Sequence, residues 1–78
     1  MLTLYVKTGC PFCEKVRAAS EEIGISFDEI KNIGDEAVAT ELVTLGGKRQ
    51  VPFLVDSDYD VTMYESDDII TYLRDRYS

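Results

Sequence analysis

Seventy-eight residues, 45% of them hydrophobic, suffice for one domain around a single modest core and leave no room for a second functional module. Fifteen acidic residues against eight basic ones give a formal net charge of −7, which phosphate backbones and anionic membrane surfaces repel, so neither nucleic acid nor membrane is expected as a partner. The uncharged apolar runs are only a few residues long, and Met1-Leu2-Thr3 has neither the basic nor the apolar region of a signal peptide; one domain over residues 1–78 and a cytoplasmic location are expected.

Leu2 to Val6 is a short run of strand-forming residues and reads as a central strand covered on both faces. A helix is predicted from Pro11 to Ile23, where Val16, Ala19 and Ile23 recur at helical spacing among charged residues and Gly24 stands at the stop. Ile25 to Ile30, with Ile25, Phe27 and Glu29 alternating, predicts a second strand. Strand, helix and strand make a βαβ unit whose two strands run parallel. Asp35 is placed to cap a second helix with the stripe Val38, Leu42 and Leu45, closed by Gly46-Gly47. Val51 to Val55 predicts a strand that tolerates Pro52 because it lies at the start. Asp56 to Tyr59 predicts a turn, and Asp60 to Met63 a short strand returning antiparallel. Ser66-Asp67-Asp68 caps a last helix whose stripe is Ile69 or Ile70, Leu73 and Tyr77. The order is βαβαββα.

The first strand-to-helix junction carries the chemistry. In Thr8-Gly9-Cys10-Pro11-Phe12-Cys13 two thiols stand one helical turn apart, where a helix N-terminus offers partial positive charge and unpaired N–H groups that favour thiolate over thiol. Pro11 suits the first helical position, and Lys7, just upstream, adds a positive charge. Cys10 is therefore assigned as the nucleophile and Cys13 as the resolving thiol. A structural zinc usually takes four Cys or His ligands. With two cysteines and no histidine, this chain would need carboxylates or a second chain, and no metal is expected. Two inert core cysteines would leave Pro11 and its junction unexplained. Lys48-Arg49 precede Val51-Pro52; if that segment meets the junction, the fold makes a small positive site on a negative protein, suited to a small anionic ligand.

This organisation resembles the thioredoxin fold, and its details resemble the glutaredoxins. Lys7-Thr8-Gly9-Cys10-Pro11-Phe12-Cys13 matches that family's active-site segment, Gln50-Val51-Pro52 stands where glutaredoxins carry Thr-Val-Pro, and Ser66-Asp67-Asp68 stands where they carry Cys-Asp-Asp. The likeness covers essentially the whole chain in one register. It implies an α/β fold with a four-stranded mixed sheet flanked by three helices. It also implies a cis Val51–Pro52 peptide beside the cysteines, X-Pro being the only kind of bond for which cis is cheap. In the same resemblance the Val51 backbone pairs with the cysteinyl part of glutathione, and Ser66 and Asp67 take its γ-glutamyl end through helix N–H groups and a carboxylate. Lys7, with Lys48 or Arg49, would receive the glycyl carboxylate. Phe12 belongs either to the core stripe, four residues before Val16, or to the ligand site through its place between the cysteines. Glu65-Ser66, with Tyr64 before it, is closer to the Glu-Ser pair of glutathione transferase N-terminal domains, which binds the same γ-glutamyl group. A complete transferase is not expected, because the helical second domain that builds its electrophile site is absent.

The activity implied is glutathione-dependent thiol–disulfide exchange. Glutathione is the expected co-substrate, glutathionylated or disulfide-bonded proteins are the expected partners, and the chain is expected to be a monomer. Two other readings share Cys10. One is a redoxin reduced by thioredoxin reductase that donates electrons to an enzyme such as ribonucleotide reductase. The other is a module bridging an iron–sulfur cluster between two chains with glutathione, against which Pro11 stands, because the glutaredoxins best known for clusters resemble Cys-Gly-Phe-Ser at this site.

Overall fold

A computed structural model of the chain describes residues 1–77. Its elements run β1 (Leu2–Val6), α1 (Pro11–Ile23), β2 (Glu29–Asn32), α2 (Glu36–Gly46), β3 (Phe53–Asp56), β4 (Val61–Met63) and α3 (Ser66–Tyr77). The sheet order is β2-β1-β3-β4, with β1 parallel to β2 and antiparallel to β3, and β3 antiparallel to β4. Successive side chains of a strand point to opposite faces, so the two interior strands feed two core layers. Leu2, Leu4, Val6 and Leu54 meet Cys13 and Val16 of α1 and Ile69 and Leu73 of α3 on one face. Tyr5 and Phe53 meet Ile33 and the α2 residues Ala39 and Leu42 on the other. All five residues of β1 are buried, as its unbroken apolar run predicts. The result is the thioredoxin-like architecture, a mixed four-stranded sheet with three helices.

Four details depart from the residue pattern. β2 begins at Glu29, not Ile25, because Ile25 and Phe27 pack half-buried against the core from the loop after Gly24. Pairing starts where Asp28 clasps Leu2: the Asp28 N–H donates to the Leu2 carbonyl at 2.9 Å and the Asp28 carboxylate accepts the Leu2 N–H at 2.7 Å. β3 begins at Phe53 rather than Val51, since Pro52 has no N–H to give a ladder. In α2 the burying arc is Ala39 and Leu42 with half-buried Val38, which leaves Leu45 exposed at 48%.

The fourth departure is at the far end of the sheet. Asp56, predicted in a turn, ends β3 fully buried, and its carboxylate accepts the hydroxyls of Tyr72 at 2.7 Å and Tyr77 at 2.5 Å. The Asp58 N–H adds a third bond at 3.2 Å. Tyr77, predicted on the buried stripe of α3, is instead partly exposed and turns its hydroxyl back onto Asp56. Asp60 lies in the turn before β4 with a left-handed φ of 54°.

Candidate active site

Gly9, at φ 79°, bends the chain out of β1 into α1, a backbone angle that L side chains seldom adopt. Cys10 follows in the extended conformation of a helix N-cap, and its Sγ accepts the Cys13 N–H at 3.2 Å, the bond a capping serine or aspartate would ordinarily make. Pro11 takes the first helical position, as predicted. Both thiols are free. Cys10 is half-buried, whereas Cys13 is 1% exposed and donates its S–H to the Cys10 Sγ at 2.6 Å. Burial, and then the hydrogen bond to Cys10, push the Cys13 thiol up to about 12. Near neutral pH Cys13 therefore keeps its proton and aims it at Cys10. The two sulfurs are thus unequal, with the N–H and the S–H of Cys13 both directed at the more accessible one.

The Val51–Pro52 peptide is cis, as the resemblance implies. Beside it opens a cleft of about 540 Å³ lined by Phe12, by Gln50, Val51 and Pro52, and by Glu65, Ser66, Asp67 and Asp68. Five of the residues singled out by sequence therefore share one concavity: Phe12, Val51, Pro52, Ser66 and Asp67. Phe12 is 60% exposed, which assigns it to the cleft and not to the core stripe. Cys10 and Val51 pack against the same core layer, so the sulfur and the cleft wall rest on one support.

Ser66 opens α3 itself instead of capping it. The residue before it, Glu65, takes a left-handed φ of 70°, and its carbonyl accepts the Ile69 N–H at 3.0 Å. A non-glycine residue held there costs about 1–3 kcal/mol, the kind of strain that clusters at functional sites. The Glu65 carboxylate accepts the Gln50 side-chain N–H at 3.2 Å and so ties the two walls of the cleft together. Tyr64, just upstream, donates its hydroxyl to the Lys48 carbonyl at 2.7 Å.

The small positive site expected from Lys7, Lys48 and Arg49 is not assembled. Among the described residues, the charged groups lining the cleft are Glu65, Asp67 and Asp68. Lys7 is exposed and contributes its carbonyl, which accepts the Cys10 N–H at 3.2 Å. Arg49 lies 3.2 Å from Glu36, which the first turn of α2 presents to it, and the Lys48 ammonium sits 4.8 Å over the Tyr64 ring. One cation that sequence reasoning missed does reach the cleft wall: Lys15, whose Nζ lies 2.5 Å from the Asp67 Oδ1. The two residues are 52 positions apart, so no spacing in the chain announces the contact. Gln50 and Asp68 are further lining residues that had no assigned part in ligand binding, and the local Gln-Val-Pro and Ser-Asp-Asp segments were the available signals.

Comparison with known proteins gives this fold its family. Residues 4–78 match the family described as the glutathione S-transferase N-terminal domain. Glutathione S-transferase 2 of Schizosaccharomyces pombe is 37% identical over an alignment of 78 positions that covers 96% of this chain and 34% of that protein. Glutaredoxin 3 of Escherichia coli K12 is 33% identical over 49 residues, 63% of this chain and 59% of that protein. Among solved structures, a glutathione S-transferase from the Antarctic clam Laternula elliptica superposes with a TM-score of 0.79 at 32% identity, over 97% of this chain and 35% of that one. The chain spans 21% to 59% of the length of the curated relatives it matches. With a match over nearly its whole length, on a fold that agrees with it, the chain belongs to the family of glutathione S-transferase N-terminal domains.

Proposed function

We propose that this chain is a glutathione-dependent thiol–disulfide oxidoreductase that acts on protein–glutathione mixed disulfides and on protein disulfides. The observation that carries the reading is the pair of unequal thiols: a half-buried Cys10 at the α1 N-cap, with the proton-bearing Cys13 held 2.6 Å behind it. A transferase domain that acts only through the thiol of glutathione has no use for a second cysteine in that position. Similarity to a glutaredoxin over 63% of the chain supports the same reading.

In the first route the Cys10 thiolate attacks the glutathione sulfur of the mixed disulfide. The S–S bond to the protein breaks, the protein leaves as thiolate, and Cys10 carries the glutathionyl group. A second glutathione thiolate attacks that sulfur, releasing oxidised glutathione and the Cys10 thiolate, so each turnover consumes one free glutathione and carries off the substrate's own glutathionyl group as the other half of the oxidised product. In the second route Cys10 forms a mixed disulfide with a protein substrate. Cys13 then gives up its proton, attacks the Cys10 sulfur and expels the substrate thiolate. Two glutathiones reduce the resulting Cys10–Cys13 disulfide. In both routes the glutathione cysteinyl group lies along the Val51 backbone by the cis Pro52, Phe12 flanks it, and Ser66 and Asp67 hold its γ-glutamyl end. Lys7 and Arg49 would take the glycyl carboxylate, Arg49 only after leaving Glu36. Such chemistry suits a reducing compartment such as the cytoplasm.

The test is reduction of a glutathionylated peptide by glutathione, glutathione reductase and NADPH, beside one run with thioredoxin reductase as electron source and one measuring conjugation of glutathione to an aryl halide. Turnover in the first run supports the proposal. Turnover with thioredoxin reductase alone removes glutathione from it, and conjugation without disulfide reduction replaces it with a transferase reading.

A further inference from the structure

Asp67 stands on the ridge between two depressions. It lines the cleft at Val51–Pro52, and it also lines a shallower groove between α1 and α3 together with Lys15. Its Oδ1 is held by the Lys15 ammonium, both side chains being well exposed, at 81% for Asp67 and 51% for Lys15. As a clasp between α1 and α3 an exposed pair of this kind contributes little. Its position at the rim of an otherwise acidic cleft gives it another use. A carboxylate has room for about four hydrogen bonds, so Asp67 can accept an ammonium on its second oxygen while keeping Lys15 on the first. The γ-glutamyl end of glutathione carries an ammonium and a carboxylate on one carbon. A Lys–Asp pair offers the same two charges with the signs reversed.

We propose that Lys15 is a specificity-determining residue that recognises the α-carboxylate of the γ-glutamyl head group while Asp67 receives its ammonium, so that the pair selects ligands ending in a free α-amino acid. The inference rests on the glutathione reading above and adds to it a residue from α1. It also answers a charge problem: the cleft lining itself presents Glu65, Asp67 and Asp68 to a ligand that is net anionic, and Lys15, paired with Asp67 from the neighbouring groove, supplies an opposing charge at its edge.

The experiment compares three peptide disulfides as substrates of the full chain, carrying glutathione, N-acetylglutathione (no ammonium) or γ-aminobutyryl-cysteinyl-glycine (no α-carboxylate). Wild type, Lys15→Gln and Lys15→Arg are assayed at low and high salt. Lys15→Gln is expected to lower kcat/KM for the glutathionyl peptide roughly fivefold to tenfold at low salt, less at high salt, with Lys15→Arg restoring most of it. With the substrate that lacks the α-carboxylate, wild type and Lys15→Gln should be equal. A gain of activity in Lys15→Gln would mean that Lys15 only blocks Asp67, and would overturn the proposal. So would an unchanged rate, or an equal loss on all three substrates. If wild type itself ignores every glutathionyl peptide, the glutathione reading fails and this one with it; wild-type activity with an indifferent Lys15→Gln removes this one alone.

Discussion

Cys13 points its S–H at Cys10 from inside the core, so one Cys-x-x-Cys pair holds an accessible acceptor sulfur and a concealed donor sulfur 2.6 Å apart. The difference predicts selective alkylation. With limiting iodoacetamide near pH 8, the native chain should take up one label on Cys10, and Cys13 should react only after denaturation. Peptide mapping by mass spectrometry reads the answer, and early labelling of Cys13 would contradict the assignment.

Substitution of each sulfur separates the two routes. Cys10→Ser should abolish both deglutathionylation and protein-disulfide reduction. Cys13→Ser should keep the first, which needs only one protein thiol, and lose the second. Parallel assays on a glutathionylated peptide and an intramolecular disulfide distinguish the variants, and equal loss of deglutathionylation in both would refute the roles.

Gly46 owes its identity to space. A Cβ there would lie 2.8 Å from the Tyr64 ring carbon Cζ and 2.9 Å from the Phe53 Cε1, closer than real Cβ atoms approach, and the two rings pack on each other, tilted by 37° with centroids 4.6 Å apart. Gly46→Ala should therefore cost about 1–3 kcal/mol in urea unfolding by forcing the Tyr64 hydroxyl off the Lys48 carbonyl. In a Tyr64→Ala background the same change should cost much less, and additive losses would show that the clash is elsewhere.

The far-end clasp makes stability depend on pH at both extremes. Burial raises the Asp56 carboxyl, but hydrogen bonds from Tyr77, Tyr72 and the Asp58 N–H outweigh it and hold the group below its ordinary range. A carboxyl lowered by folding contributes stability that is present above its unfolded value, about 3.9, and lost as pH falls through the folded one. Tyr72 is pushed up to about 12 by burial and then by Asp56, and Tyr77 is raised mainly by its bond to Asp56. Their contribution is complete below the unfolded tyrosine value, about 10, and is lost as pH climbs from there toward about 12. Urea midpoints across the pH range should decline more gently at both ends in a Tyr72→Phe, Tyr77→Phe double variant. Identical profiles would remove the clasp as the cause.

Local chemistry made much of this legible. Leu2–Val6 and Pro11–Ile23 have the bounds that their patterns predict, because strand alternation, a proline at the first turn and a left-handed Gly24 act over neighbouring residues. What sequence misplaced depends on partners far along the chain. Ile25 and Phe27 alternate like a strand yet serve as loop anchors, since the register is fixed by Asp28 on Leu2. Asp56 looks like a turn residue until two tyrosines of α3 close over it. Within the candidate site the segments at Cys10, Pro52 and Ser66 were readable as motifs. The destinations of Arg49 and Lys15 were not, because a long charged side chain chooses among carboxylates that only the fold brings near.

The order β2-β1-β3-β4 leaves two outer strands. β2 presents Glu29 and Lys31, ion-paired at 3.8 Å, with exposed Ile30 between them, while β4 is three residues long and bounded closely by the left-handed Asp60 and Glu65. Neither margin offers a long, flat, uncharged run of open amides, which is what a foreign strand needs in order to add itself. The proposed exchange with protein disulfides would bring the chain to partners in unfolded and half-folded states, the company in which strands are most readily exchanged. The sheet is closed to that traffic, and in the proposed reaction the encounter would be left to the sulfur.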